Sequence, residues 1–260
     1  MDLGLRDRVV AVTGASKGIG RACAAAFAAE GARVALVSRS RANLDAALAA
    51  MPAGARVQAF AADLVDAVQA RATVDAIERA LGPIDVLVNC AGAAKRYPPD
   101  ELDAAAWRAA MDAKFFSYIH PTDVVVKRMA ARGRGAIVNV VGSGGRVANP
   151  VHLPGGAANA ALMLATAGLA AAYAAQGVRV NAINPGLTLT GRVQEGLEAE
   201  SRMTGLGIDE LQRRAEARIP IGRLGTPEEI AQVALFLASD RASYVTGAIV
   251  PMDGAANPVL

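Results

Sequence analysis

Short runs rich in β-branched residues alternate with longer alanine-rich stretches along the whole chain, and no other feature limits the fold as strongly. RVVAVTG (8–14), RVALVS (33–38), VQAFAAD (57–63), IDVLVN (84–89), AIVNVVG (136–142), VRVNAINPG (178–186) and TGAIVPMDG (246–254) read as strands. Most are apolar without alternation, as expected of parallel strands covered on both faces. The stretches between them read as helices. GRACAAAFAAEG is closed by Gly31 as a C-terminal cap, and TPEEIAQVALFLAS opens on Thr226 as N-cap, with Pro227 at the first helical position. Alternation of this kind predicts an α/β fold with a doubly wound parallel sheet.

No linker or repeat divides the 260 residues, so residues 1–260 are expected to form one domain. Residues 191–218 break the rhythm: they are charged, hold four glycines and are too long for an ordinary connection, which suggests a lid or binding excursion. With 53% apolar but only 4% aromatic residues, the core must be built from Ala, Val, Leu and Ile. Residues 147–178 contain no Asp, Glu, Lys or Arg, enough length to cross a bilayer. Pro150, Pro154 and Gly155-Gly156 at its start, and alanine rather than leucine along it, point instead to a helix buried in a soluble protein, with no membrane partner. The net charge of +3 is spread among acids without a long basic run, which argues against nucleic-acid binding. Cys23 and Cys90 lack metal-ligand spacing and read as free thiols; no metal is expected. The N-terminus runs almost directly into a strand, leaving no room for a signal peptide, and a cytoplasmic protein is expected.

TGASKGIG (13–20) joins the first strand to the first helix, with Gly14, Gly18 and Gly20 spaced G-x-x-x-G-x-G. Its lysine, Lys17, precedes Gly18, so the segment is not a nucleoside-triphosphate loop, which needs Gly-Lys-Ser/Thr. Glycines in this position let the backbone approach a pyrophosphate whose charge the helix N-terminus stabilises.

TGASKGIG, Asp63 in AADL, NCAG (89–92), VNAINPG (180–186) and IPIGRLGTPEEIAQVALFLASD near the C-terminus together resemble the short-chain dehydrogenase/reductase family over essentially the whole chain. The resemblance implies a single Rossmann-type domain with a seven-stranded sheet, a nicotinamide dinucleotide, a small-molecule substrate, and a homodimer or homotetramer. It places Gly14, Ser16, Lys17, Gly18, Ile19 and Gly20 in the cofactor-binding turn, and Asp63 and Leu64 beside the adenine. By the same likeness Asn89 steadies the central strands, Ala91 and Gly92 follow it along the cofactor, and Pro185, Gly186, Thr188 and Thr190 hold the nicotinamide side. Turn chemistry at a strand end is the other reading of Asp63 and Asn89. The choice of cofactor is local. The second strand ends Val37-Ser38-Arg39-Ser40-Arg41, with no carboxylate to repel a 2′-phosphate, and Arg39 and Lys17 suit one, so NADP is expected.

The family's active site resembles an Asn–Ser–Tyr–x-x-x–Lys set, and this chain departs from it at all four positions. Lys114 stands in the Asn place, Gly142 in the Ser place, Gly155 in the Tyr place and Asn159 in the Lys place. Ser143 is one residue late, and no tyrosine lies between Tyr118 and Tyr173. A placed acid contributes on the order of 10²–10⁴-fold to such a reaction, and glycine has none to offer. Yet Lys114 and Asn159 have exchanged residue types, so an ammonium can still reach the site from the other side. The expectation is an NADP(H)-dependent oxidoreductase, acting on a carbonyl, alcohol or activated double bond, with Lys114, Asn159 and His152 as candidate catalytic residues and Tyr97 as a further donor. The alternative is an inactive homologue that binds the cofactor as a sensor or subunit.

Overall fold

The runs read as strands all pair in the computed structural model, which describes residues 2–92 and 95–258. They are β1 (Val9–Thr13), β2 (Arg33–Ser38), β3 (Arg56–Ala61), β4 (Val86–Asn89), β5 (Gly135–Val140), β6 (Val178–Pro185) and β7 (Ile249–Met252). Their order is β3-β2-β1-β4-β5-β6-β7, and every neighbouring pair is parallel. The helices are α1 (Gly18–Ala29), α2 (Arg41–Ala49), α3 (Ala67–Leu81), α4 (Ala104–Ala110), α5 (Ser117–Ala131), α6 (Leu153–Tyr173), α7 (Gly191–Thr204), α8 (Ile208–Glu216) and α9 (Pro227–Ala238).

Strand alternation sorts the core into two layers. Val10, Val12, Val34, Leu36 and Val88 pack under α1, α2 and α9, while Val9, Ala11, Ala35, Val37 and Leu87 pack under α3 and α5 on the opposite face. Chain order reverses between β1 and β4, so the C-terminal ends of these two strands form the crevice in which doubly wound sheets bind ligands.

Local signals fix the helix ends. Gly31 takes φ +80°, and the Ala32 N–H reaches back to the Phe27 carbonyl at 3.1 Å, so α1 stops where the sequence says. Thr226 and Glu229 form a complete capping box at the start of α9. Residues 191–218 hold the helix pair α7 and α8. The charge that sets this segment apart is what makes α8 helical: Glu210 pairs with Arg213 at 2.7 Å and Arg214 at 2.8 Å, one turn on.

The stretch 150–176 is by length and composition the one described helix able to cross a membrane. In the fold, α6 lies along the sheet. Pro154, Ala158, Asn159, Leu162, Thr166 and Ala170 recur every three or four residues on its inner side, and Asn139 on β5 donates to the Thr166 hydroxyl at 3.0 Å. Leu164 faces outward and is 77% exposed.

Candidate active site at the crevice

The crevice is held together by contacts between strand ends. Thr13 Oγ1, at the end of β1, accepts from the N–H groups of Cys90 (3.1 Å) and Ala91 (3.2 Å) just past β4. The Ala15 N–H donates to the Val37 carbonyl, and the Ser38 hydroxyl donates to Ser16 Oγ at 3.1 Å, tying the glycine turn to β2. Gly14 has φ +64°, and a Cβ there would sit 2.7 Å from the Cys90 carbonyl oxygen, so only glycine lets these two loops meet. The structure thus brings Gly14, Ser16, Lys17, Gly18, Ile19, Gly20, Ala91 and Gly92 to one end of the sheet. Lys17 and Arg39 are exposed at its rim, with no ion pair among the described residues.

Asn89 is fully buried; its Nδ2 donates to Thr122 Oγ1 (3.0 Å) and Asn139 Oδ1 (2.9 Å), which joins α5, β4 and β5. Asp63 Oδ1 accepts from the Val65 N–H at 3.1 Å, so the carboxylate shapes its own turn beside buried Leu64. Past β6, the Gly186 N–H donates to the Met252 carbonyl, Thr188 is buried, and Thr190 opens α7. Thr190 Cγ2 would stand 3.4 Å from a Cβ on Gly18, so the β6 loop and the glycine turn face each other. A cleft of about 450 Å³ begins at this meeting point and runs under α7 between α1 and α9. Neither Lys114 nor Asn159 lines it. Cys23 and Cys90 are free, and hydrogen bonding to Cys90 together with burial pushes the Cys23 thiol well up, which makes it an inert packing group.

At the end of β5, Lys114, Gly142 and Asn159 come together. Residues 111–116 form a π-helical turn between α4 and α5, a geometry frequent at functional sites. Gly92, with φ +89°, leaves no room for a Cβ against the Ala113 carbonyl and lies beside the Lys114 backbone, so the π turn is pressed onto the crevice. Lys114 is half-buried and points inward. Its Nζ donates to the Tyr118 hydroxyl at 3.1 Å and to the Val140 carbonyl at 3.4 Å, and lies 4.9 Å from the centre of the Tyr118 ring. The Tyr118 hydroxyl itself donates to the Val140 carbonyl at 2.7 Å.

Asn159 arrives from α6. It is 3% exposed, its Nδ2 lies 3.2 Å from where a Gly142 side chain would begin, and its Oδ1 has no partner among the described residues. The space beside Gly142 is therefore taken by this amide, and Gly155 is buried. β5 ends at Val140 and a 3₁₀ turn opens at Ser143, so strand alternation does not govern the heading of that serine. His152 sits in the 3₁₀ turn before α6, with its Cδ2 3.3 Å from where a Gly144 side chain would begin. Tyr97 is half-buried on the loop after β4, where its N–H donates to the Val151 carbonyl. Tyr118 is the residue that sequence reasoning passes over. Its signal was the helical i, i+4 spacing in KFFSY (114–118), which sets a phenol one turn from the ammonium.

Comparison with known proteins places this geometry. Residues 14–257 match the family described as enoyl-(acyl carrier protein) reductase. A Xanthobacter autotrophicus protein named inactive 2-(S)-hydroxypropyl-CoM dehydrogenase 2 is 36% identical over 227 residues, covering 86% of this chain and 94% of its own. L-Sorbose reductase from Gluconobacter frateurii, solved with NADPH and L-sorbose, superposes with a TM-score of 0.95 at 30% identity over all of both chains. A Pseudomonas aeruginosa short-chain oxidoreductase described as containing an atypical catalytic centre has a TM-score of 0.90 and 35% identity, again over all of both chains.

Proposed function

Because the chain belongs to the short-chain dehydrogenase/reductase family, we propose that it is an NADP(H)-dependent oxidoreductase with a rearranged centre, acting on a small carbonyl, alcohol or activated double bond. The inward heading of the Lys114 ammonium, onto the Val140 carbonyl at the end of β5, carries this reading. A site that had only lost function has no reason to hold a cation there, where an exposed lysine would remain in water at no desolvation cost.

The residues present fit the cofactor. Gly14 and the N-terminus of α1 form a cradle that a side chain at 14 would fill, as a pyrophosphate site requires. Lys17 and Arg39 flank the end of β2, and the acid nearest in sequence, Asp45, is already paired with Arg41 at 2.9 Å. Thr188 and Thr190 lie opposite, on the nicotinamide side. The bound nicotinamide would supply the hydride. Lys114 then holds the ribose or the substrate oxygen by charge, and Asn159 offers a neutral hydrogen bond from the other wall.

NADPH and NADH titrated separately by fluorescence, followed by oxidation of the bound form against a panel of carbonyl compounds, test the reading. Each charge-assisted contact to the 2′-phosphate is worth about ten-fold or more in affinity. NADPH therefore binds more tightly than NADH, and Arg39→Asp reverses the order; equal affinities for the wild type would remove the NADP assignment. A second reading rests on Gly155 and Asn159 in the Tyr and Lys places and on the relative named inactive. In that case the protein binds NADPH and consumes none across the panel.

A further inference from the structure

Resting on that reading, we propose that Lys114 is itself the proton donor of the site and that Tyr118 is its positioning residue. The phenol and the ammonium of the family pattern would thus have moved together onto one turn of helix, with their roles exchanged. The hydrogen bonds assign those roles. Tyr118 is 1% exposed and its hydroxyl proton is engaged with the Val140 carbonyl at 2.7 Å. Toward Lys114 it therefore presents a lone pair and accepts at 3.1 Å. A buried phenol whose proton is already given to a carbonyl is poorly placed to protonate a substrate. It is well placed to aim an ammonium, since its hydroxyl and the Val140 carbonyl both receive Lys114 N–H groups and its ring lies against the cation. Lys114 is half-buried, whereas Tyr118 is almost wholly enclosed.

In the reducing direction the step balances as follows. A reduced nicotinamide cofactor held at the glycine turn would supply the hydride for the new C–H bond at the carbonyl carbon and would leave in its oxidised form. The C=O π pair moves onto oxygen, and that oxygen takes a proton from Lys114 Nζ. An alcohol and a neutral amine result, and the amine recovers its proton from water. Tyr118 keeps its proton throughout.

Three variants test the proposal, each first checked for wild-type circular dichroism. Arginine keeps the positive charge but does not deprotonate in proteins. Lys114→Arg is thus expected to bind NADPH within about three-fold of wild type while turnover on the best carbonyl of the panel falls by about 10²–10⁴-fold. Lys114→Ala loses both binding and turnover. Tyr118→Phe keeps the ring and loses the hydroxyl, so kcat falls about ten-fold with KM and NADPH affinity unchanged. A readout independent of activity comes from ¹³C-lysine NMR, since the chain has only Lys17, Lys95, Lys114 and Lys127 to assign. The Lys114 ε-carbon signal is expected to stand apart through the Tyr118 ring and to move when NADP⁺ is added. Wild-type turnover by Lys114→Arg overturns the donor assignment while leaving the cation reading intact. Wild-type binding and turnover by Lys114→Ala overturn the cation reading itself. A Lys114 signal that coincides with exposed lysines and ignores NADP⁺ overturns the positioning by Tyr118. A wild type that binds NADPH and reduces nothing overturns the donor role together with the enzyme reading.

Discussion

At the residue scale, Gly142 and Asn159 have to be considered together. A methyl group at 142 would press on the Asn159 amide at 3.2 Å, closer than comfortable packing, and the amide is enclosed by α6 and the turn after β5. Gly142→Ala is therefore expected to destabilise the protein by roughly 1–3 kcal/mol, the usual range for overpacking. In an Asn159→Ala background the same substitution costs less than half as much. Thermal melts of the four proteins of this double-mutant cycle check it, and strict additivity would show that the two positions do not touch. The reading that puts Lys114 and Asn159 in the places of an Asn and a Lys comes from the sequence alone, through the motifs that surround them. What Lys114 does with its charge is not legible. Its inward heading depends on the π turn at 111–116, and that turn depends on Gly92, which is distant in sequence. Tyr118 stays hidden for a related reason: it lies on α5, one turn beyond Lys114 and far in sequence from residue 155.

Among the elements, α9 offers the sharpest measurable case. Two Arg223 hydrogen bonds (2.9 and 2.6 Å), followed by the Thr226 N–H (2.8 Å), hold the Glu229 carboxyl from its ordinary 4.5 down to about 2. A depressed folded value means that the contribution of Glu229 is complete above about 4.5 and is lost as pH falls through about 2. The melting temperature of Glu229→Gln should therefore lie below that of wild type at pH 6, and the two should converge as pH approaches 2. A constant difference across that range would remove the charge from the explanation. Asp7, Asp66, Asp75 and Glu210 are lowered as well, so the whole protein weakens in acid and only the difference between the two proteins isolates Glu229. The cap matters beyond its own helix, because Gly225 at its entrance exchanges hydrogen bonds with Leu187 and Leu189 on the loop after β6. Strands and capped helices of this kind are readable in sequence because their signals are local. The pair α7 and α8 is less so: its glycines and charges resemble those of an open loop until the Glu210–Arg213–Arg214 pairing is seen.

For the whole molecule the open question is what covers α6. Its inner side is fixed by hydrogen-bonded Thr166 and by buried Ala158, Asn159 and Leu162, whereas its outer side presents Leu164, with Leu153 and Val151 partly exposed near its start. Trp107 on α4 and Phe116 at the π turn are partly exposed as well. Burial of a leucine is worth about 1.5–3 kcal/mol, and in a two-fold interface each contact occurs twice. The expected state is therefore a dimer or tetramer paired through α6 and its neighbour α5. Light scattering at micromolar concentration should show it, and Leu164→Glu should lower the mass while leaving NADPH binding in place, since the residues of the proposed cofactor site all come from one chain. A monomeric wild type would end this account, and a variant of unchanged mass would move the interface to another face. The same apolar stretch satisfies the length and composition of a membrane span, which gives the experiment a third outcome. A helix whose inner side is held to β5 by Asn139 has to break that buried hydrogen bond and strip its sheet before it can enter lipid. The chain is accordingly expected in the supernatant of a detergent-free lysate, and one that pellets with membranes until detergent is added would show that lipid, not a second copy, covers α6.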